Sequence, residues 1–186
     1  MKSKEIIDCF ERSPVIASVH EKNFEKALVS PCEIIFSLKA RLSTVKEQIE
    51  KVHNSGKLIF IHIDLAEGIG KDKNAVEYLA DLGVDGIIST RGQLIKYAKD
   101  AKLLTVQRLF ALDTQGIDSI HEILNGSSPD LIEIMPGVIG KVIDRFSKSN
   151  IPVIAGGLIE TKSEVTDALK NGASAVSTGM EELWYL

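Results

Sequence analysis

The chain has 186 residues, 44% hydrophobic and 26% charged, and a formal net charge of −4. That size and balance fit one globular domain able to bury roughly 70% of the surface its unfolded chain would expose, and no apolar run approaches the ~20 residues of a membrane span. The acidic balance argues against a chain that grips nucleic acid mainly through phosphate contacts, which calls for a basic excess; any such role here needs a local basic patch, or one assembled between subunits.

The first residues, MKSKEIIDCFERS, alternate charged and apolar side chains. They lack the continuous apolar core of a secretory signal, so the cytoplasm is the expected compartment, and residues 1–12 read as an extra helix across the bottom or side of the domain. Cys9 and Cys32 form no CxxC pair, as expected of thiols kept reduced in a cell, and no Cys/His spacing suggests zinc. Eight short β-branched runs follow: PVIASV (14–19), EIIFSL (33–38), KLIFIHID (57–64), DGIIST (85–90), LLTVQRL (103–109), DLIEIMP (130–136), IPVIAGG (151–157) and SAVSTG (174–179). Their starts are roughly 18–28 residues apart, the spacing of compact βα units. AVEYLADLG (75–83) and EVTDALKNG (164–172) carry apolar residues at helical spacing and end in a Gly at the C-cap. Alternation of this kind implies parallel strands. The count of eight and the lack of a GxGxxG after the first strand favour a compact (β/α)8 TIM-type barrel with short helices over an open dinucleotide-binding sheet. No linker or second domain is visible, so 1–186 reads as a single barrel domain, and MEELWYL leaves room for a final helix of only about two turns.

Side chains alternate along a strand. In 58–64 the Ile59, Ile61, Ile63 face should meet the helices, which turns His62 and Asp64 inward, with Asp64 at the mouth. In 131–135 the same logic turns Glu133 into the barrel. Sites in such barrels lie at the C-terminal ends of the strands, so His62, Asp64 and Glu133 are expected to converge, with Glu67 on the loop above; Arg108, late in the fifth strand, is a natural counter-charge whose facing the pattern leaves ambiguous. These residues could form a satisfied polar layer or read a ligand, with an acid/base pair of two carboxylates in different protonation states as the lesser alternative.

A sharper signal lies near the end. Gly156 and Gly157 follow the seventh strand, Thr161 and Glu164 form a capping box, and Ser177, Thr178 and Gly179 close the eighth strand. Glycines allow close approach of backbone amides to an anion, and the loops after strands seven and eight often form the phosphate site of these barrels. Lys141, Arg145 and Lys148, and likewise Lys96, Lys99 and Lys102, fall at helical spacing; a solvated helix face is the plain reading and a phosphate-backbone contact the alternative. No aromatic stacking run or GXXG clamp appears, and Trp184 and Tyr185 suit packing or a subunit contact better than base stacking.

The segments FIHIDLAEGIGKDKNAVEYLADLGVDGIISTRGQLIKYAK, LLTVQRLFALD, PDLIEIMPGVIGKVI and IPVIAGGLI…AVSTG resemble the glycerol-3-phosphate-responsive antiterminator family, over nearly the whole chain and most strongly from about residue 57 to 184. The stretch 37–45, SLKARLSTV, departs from the pattern, and Gly179 stands where a serine is expected. The resemblance implies a regulator rather than an enzyme, with no cofactor: a protein that binds glycerol 3-phosphate as effector and then the leader mRNA of a glycerol-metabolism operon, preventing termination, with the oligomeric state left open. On that reading Gly156, Gly157, Ser177, Thr178 and Gly179 hold the phosphate, while Asp64, Glu133 and Arg108 or Glu67 read the glycerol hydroxyls. The competing reading is a barrel enzyme, an isomerase, aldolase or phosphodiesterase, acting on a small phosphorylated three-carbon metabolite, since this fold hosts many chemistries. An aldolase needs a Schiff-base lysine at a strand end, for which Lys39 is the one candidate; a phosphodiesterase needs a cluster of metal ligands.

Overall fold

A computed structural model describes residues 3–186. Eight parallel strands close in sequence order into a barrel: β1 (Val15–Val19), β2 (Ile34–Ser37), β3 (Leu58–His62), β4 (Gly86–Ser89), β5 (Leu104–Phe110), β6 (Leu131–Met135), β7 (Val153–Gly156) and β8 (Ala175–Thr178), with β8 pairing back onto β1. All eight runs expected from the sequence are strands. The connecting helices are short, as 186 residues require: α2 (Phe24–Val29), α3 (Val45–Asn54), α4 (Lys73–Asp81), α5 (Gly92–Asp100), α6 (Thr114–Ser127), α7 (Gly140–Ser147) and α8 (Lys162–Lys170), preceded by α1 (Ser3–Arg12).

Strand alternation divides the core in two. Ile35, Ile59, Ile61, Ile87, Ile132 and Ile134 point outward and join the apolar faces of the helices. Ile16, Phe36, Phe60, Ile88, Val106 and Ile154 point inward and fill the barrel. Burial on both faces is why these strands read as nearly continuous apolar runs. Inside, the Phe36 and Phe60 rings meet at a centroid distance of 5.5 Å. Gly86 makes room for them: a Cβ there would overlap the Phe60 ring and lie 2.8 Å from the Leu104 carbonyl oxygen.

The lower end is closed by α1, which inserts Ile6, Cys9 and Phe10 against the first residues of β2, β5, β6 and β8. The Arg12 guanidinium donates to Glu33 beside β2 at 2.6 and 2.7 Å, fixing the end of the helix. Gly83 (φ +86°) and Gly172 (φ +96°) terminate α4 and α8 in the left-handed conformation that favours glycine.

After β8 the chain forms a 3₁₀ segment, Glu181–Tyr185, instead of a last α-helix. Trp184 is buried and its indole N–H donates to the Thr178 carbonyl at 2.9 Å, which is the packing role expected of it; Tyr185 is exposed. Among the described residues no helix is long and apolar enough to cross a membrane.

Candidate ligand site

A cavity of about 230 Å³ opens at the C-terminal ends of the strands, between β1 and β6–β8. Its floor is three buried polar side chains from three strands, each turned inward by alternation. Arg108 on β5 and Glu133 on β6 are direct register partners, and the Arg108 Nε donates to Glu133 Oε2 at 2.6 Å. Ser177 on β8 donates its hydroxyl to Glu133 Oε1, also at 2.6 Å. Both oxygens of this carboxylate are thus bonded, as a charge 1% exposed requires. The Arg108 facing that the sequence left ambiguous is inward.

Gly156 sits under this trio without entering the cavity lining. A Cβ on it would lie 2.6 Å from Ser177 Oγ and closer still to Glu133 Oε1. The glycine is required by the floor, a different reason from amide donation to an anion.

The upper walls come from the loops after β7 and β8. Gly157 (φ +73°) and Leu158 (φ +58°) turn the first loop in the left-handed region. Gly157, Ile159 and Glu160 line the cavity on that side, and Thr178, Gly179 and Met180 on the other. The Thr178 hydroxyl ties the loops together, donating to the Ile159 carbonyl at 2.7 Å and accepting from the Met180 amide at 3.1 Å. The capping box of α8 is formed: the Glu164 carboxylate accepts from the amides of Glu160 and Thr161 at 2.8 and 2.9 Å.

Two expected members of the site stand elsewhere. Strand β3 ends at His62, and Ile63–Leu65 is a 3₁₀ turn, so the two-residue period stops before Asp64. Its carboxylate swings to the start of the β4 loop, accepts from the Ser89 hydroxyl (3.0 Å) and the Thr90 amide (2.7 Å), and forms an ion pair with the Arg91 guanidinium (3.4 Å). Glu67 lies on the outer rim, paired with Lys39 at 3.0 Å and Arg41 at 3.1 Å. Neither lines the cavity. The convergence of His62, Asp64 and Glu133 expected from alternation therefore holds for His62 and Glu133 as inward residues, while Asp64 caps a neighbouring loop.

His62 is 2% exposed, and its Nδ1 has no hydrogen-bond partner, standing 3.8 Å from Asp64 Oδ2. Burial, and then the neighbouring positive charge of Arg108, push its pKa down to about 4, so the imidazole is neutral at physiological pH. His62 does not itself line the cavity, whereas Ser18 and Met135 do. Ser18 was legible as the inward residue two after Ile16; Leu158 and Glu160, set by loop geometry, carried no periodic signal.

None of the basic stripe residues lines the cavity. Lys141 and Arg145 lie on the exposed face of α7, and Lys148, just past its end, pairs with Asp144 at 2.7 Å. Lys99 on α5 donates to the Ser128 carbonyl. Lys39, the Schiff-base candidate, is half-exposed and held by Glu67 outside the cavity. Among the described residues no group of three or more His, Cys, Asp or Glu could hold a metal ion.

A closed eightfold βα barrel with a loop-walled, polar-floored cavity at the C-terminal ends of its strands is a TIM-type barrel with a candidate small-ligand site in the usual place. Residues 15–184 match the family model described as glycerol-3-phosphate responsive antiterminator. The chain is 33% identical over 97% of its length, and 96% of the relative's, to an uncharacterized protein of Escherichia coli K12, YgcP. It is similar to the crystal structure of a glycerol uptake operon antiterminator regulatory protein from Listeria monocytogenes, with TM-score 0.87 and 36% identity over 91% of this chain and 94% of that one. An antiterminator-related protein of Thermotoga maritima gives TM-score 0.83 and 28% identity over 92% and 98%. The chain belongs to the glycerol-3-phosphate responsive antiterminator family.

Proposed function

We propose that this protein binds glycerol 3-phosphate in the cavity at the barrel mouth and, so loaded, binds the leader mRNA of a glycerol-metabolism operon to prevent termination. The observation that carries the reading is the cavity itself. It has a built polar floor of Arg108, Glu133 and Ser177 at the end of the barrel where ligands bind, and its volume of about 230 Å³ suits a small metabolite.

The same site is poorly equipped for chemistry. Glu133 has both oxygens in hydrogen bonds, and Lys39 is turned away from the cavity. A regulator needs only a ligand that prefers one of two states, and the loops after β7 and β8, joined through Thr178, are the elements that a ligand between them would order. Lys141, Arg145 and Lys148, exposed on and just after α7, are the candidate RNA contact, and a surface completed by ligand-ordered loops or by a second subunit fits a chain of net charge −4.

The test is retention of leader RNA, transcribed from a glycerol-uptake operon of the protein's own organism, with and without glycerol 3-phosphate. Effector coupling of this kind is typically 5- to 150-fold, and tightening in that range is the expected result. Equal RNA affinity with and without saturating effector overturns the reading.

A further inference from the structure

Resting on that reading, we infer the orientation of the ligand: its phosphate sits on Arg108 at the cavity floor and its hydroxyl-bearing end at the loop rim, the reverse of what the glycine-rich loops suggest. Three observations carry this. Arg108 is 7% exposed and lines the cavity. Its Nε is held by Glu133, and its two terminal nitrogens have no hydrogen-bond partner among the described residues. A buried guanidinium with its fork open to a cavity is a receptor for a planar or tetrahedral oxyanion. Glu133, and Ser177 through it, act as positioning residues that fix the fork.

The rim is the poorer place for a phosphate. The amides at the start of α8 already donate to the Glu164 carboxylate, and the Met180 amide donates to Thr178. The rim also carries Glu160, an exposed carboxylate on the cavity wall. An anion there meets a carboxylate not neutralised as Glu133 is by Arg108 at the floor, whereas hydroxyl groups meet an acceptor. His62 completes the assignment. It is neutral beside Arg108, so it adds no charge to the anion site.

The experiment titrates the protein with glycerol 3-phosphate, inorganic phosphate and glycerol, following Trp184, the single tryptophan, one hydrogen bond from the cavity wall at Thr178, with thermal shift as a second readout. The variants are Arg108→Gln/Glu133→Gln, which removes the charge pair while leaving an acceptor for Ser177, and Glu160→Gln. The double variant is expected to lose both glycerol 3-phosphate and inorganic phosphate by roughly 10- to 150-fold, the loss expected of charged hydrogen bonds. Glu160→Gln is expected to weaken glycerol 3-phosphate and leave inorganic phosphate within about twofold. If the double variant does not fold, Arg108→Lys, which keeps the charge and loses the fork, takes its place with an expected loss of about tenfold for both phosphates.

Retained phosphate binding in the Arg108 variants, together with tighter phosphate binding in Glu160→Gln, overturns the orientation and returns the phosphate to the loops. Wild-type protein that binds inorganic phosphate but not glycerol 3-phosphate refutes the effector assignment alone, and the Arg108 site is then judged on inorganic phosphate. Wild-type protein that binds neither refutes both.

Discussion

Replacing Gly156 with alanine tests whether the floor of the cavity is built as described. The new Cβ would stand 2.6 Å from Ser177 Oγ and closer still to Glu133 Oε1, and neither neighbour can yield freely: Ser177 is 3% and Glu133 1% exposed, and both are held in the hydrogen-bonded trio with Arg108. Overpacking of this kind costs about 1–3 kcal/mol, and loss of the hydrogen bond to the buried carboxylate adds about 1.5–3 kcal/mol. Against this, alanine restricts the unfolded chain and returns about 0.4–1 kcal/mol. The net expectation is a loss of roughly 1.5–5.5 kcal/mol, which for a chain of this size lowers Tm by about 3–22 °C. Urea or thermal unfolding measures it directly. Gly179→Ala is the matched control: the nearest atom to its Cβ is the Ser18 carbonyl oxygen at an ordinary 3.5 Å, so its stability should be unchanged or slightly raised. Equal stabilities for the two variants would refute the claim that Gly156 is dictated by the trio above it.

Other outcomes follow from the same geometry. His62 is neutral in the folded protein, with a pKa pushed down to about 4 from 6.5. The unfolded chain therefore binds the extra proton first, and stability should fall by at most about 3 kcal/mol as pH drops from about 6.5 to 4, levelling below that; unfolding free energies across pH 4–7 should show this slope in the wild type and lose it in His62→Gln. Thr161→Ala removes the side-chain cap of α8 and should cost about 1 kcal/mol in urea unfolding. Gly86→Ala should destabilise more strongly still, because the Phe60 ring occupies the space its Cβ needs.

The barrel was readable because its strands are buried on both faces and punctuated by glycine-ended helices. Ile59 and Ile61 declared one face of β3, and the inward facing of His62 and Glu133 followed from alternation alone. That logic failed at Asp64, where the strand gives way to a 3₁₀ turn after His62 and the side chain is claimed by Ser89, Thr90 and Arg91. It also said nothing of Glu67, whose direction is set by Lys39 and Arg41 on a loop distant in sequence. Gly156 and Gly157 stood out as a pair, yet they have separate physical reasons: one clears the Glu133–Ser177 contact, the other turns the chain at positive φ. Family membership was legible in the runs HIDLAEG, DGIIST, QRLF and AGGLI occurring together and in this order, which the family match over residues 15–184 spans.

The most direct test of the account is calorimetric titration of the wild-type protein with glycerol 3-phosphate. The account predicts saturable binding of one ligand per chain, competed by inorganic phosphate and not reproduced by glycerol. No heat and no thermal stabilisation at millimolar glycerol 3-phosphate, in protein shown to be folded, would contradict it.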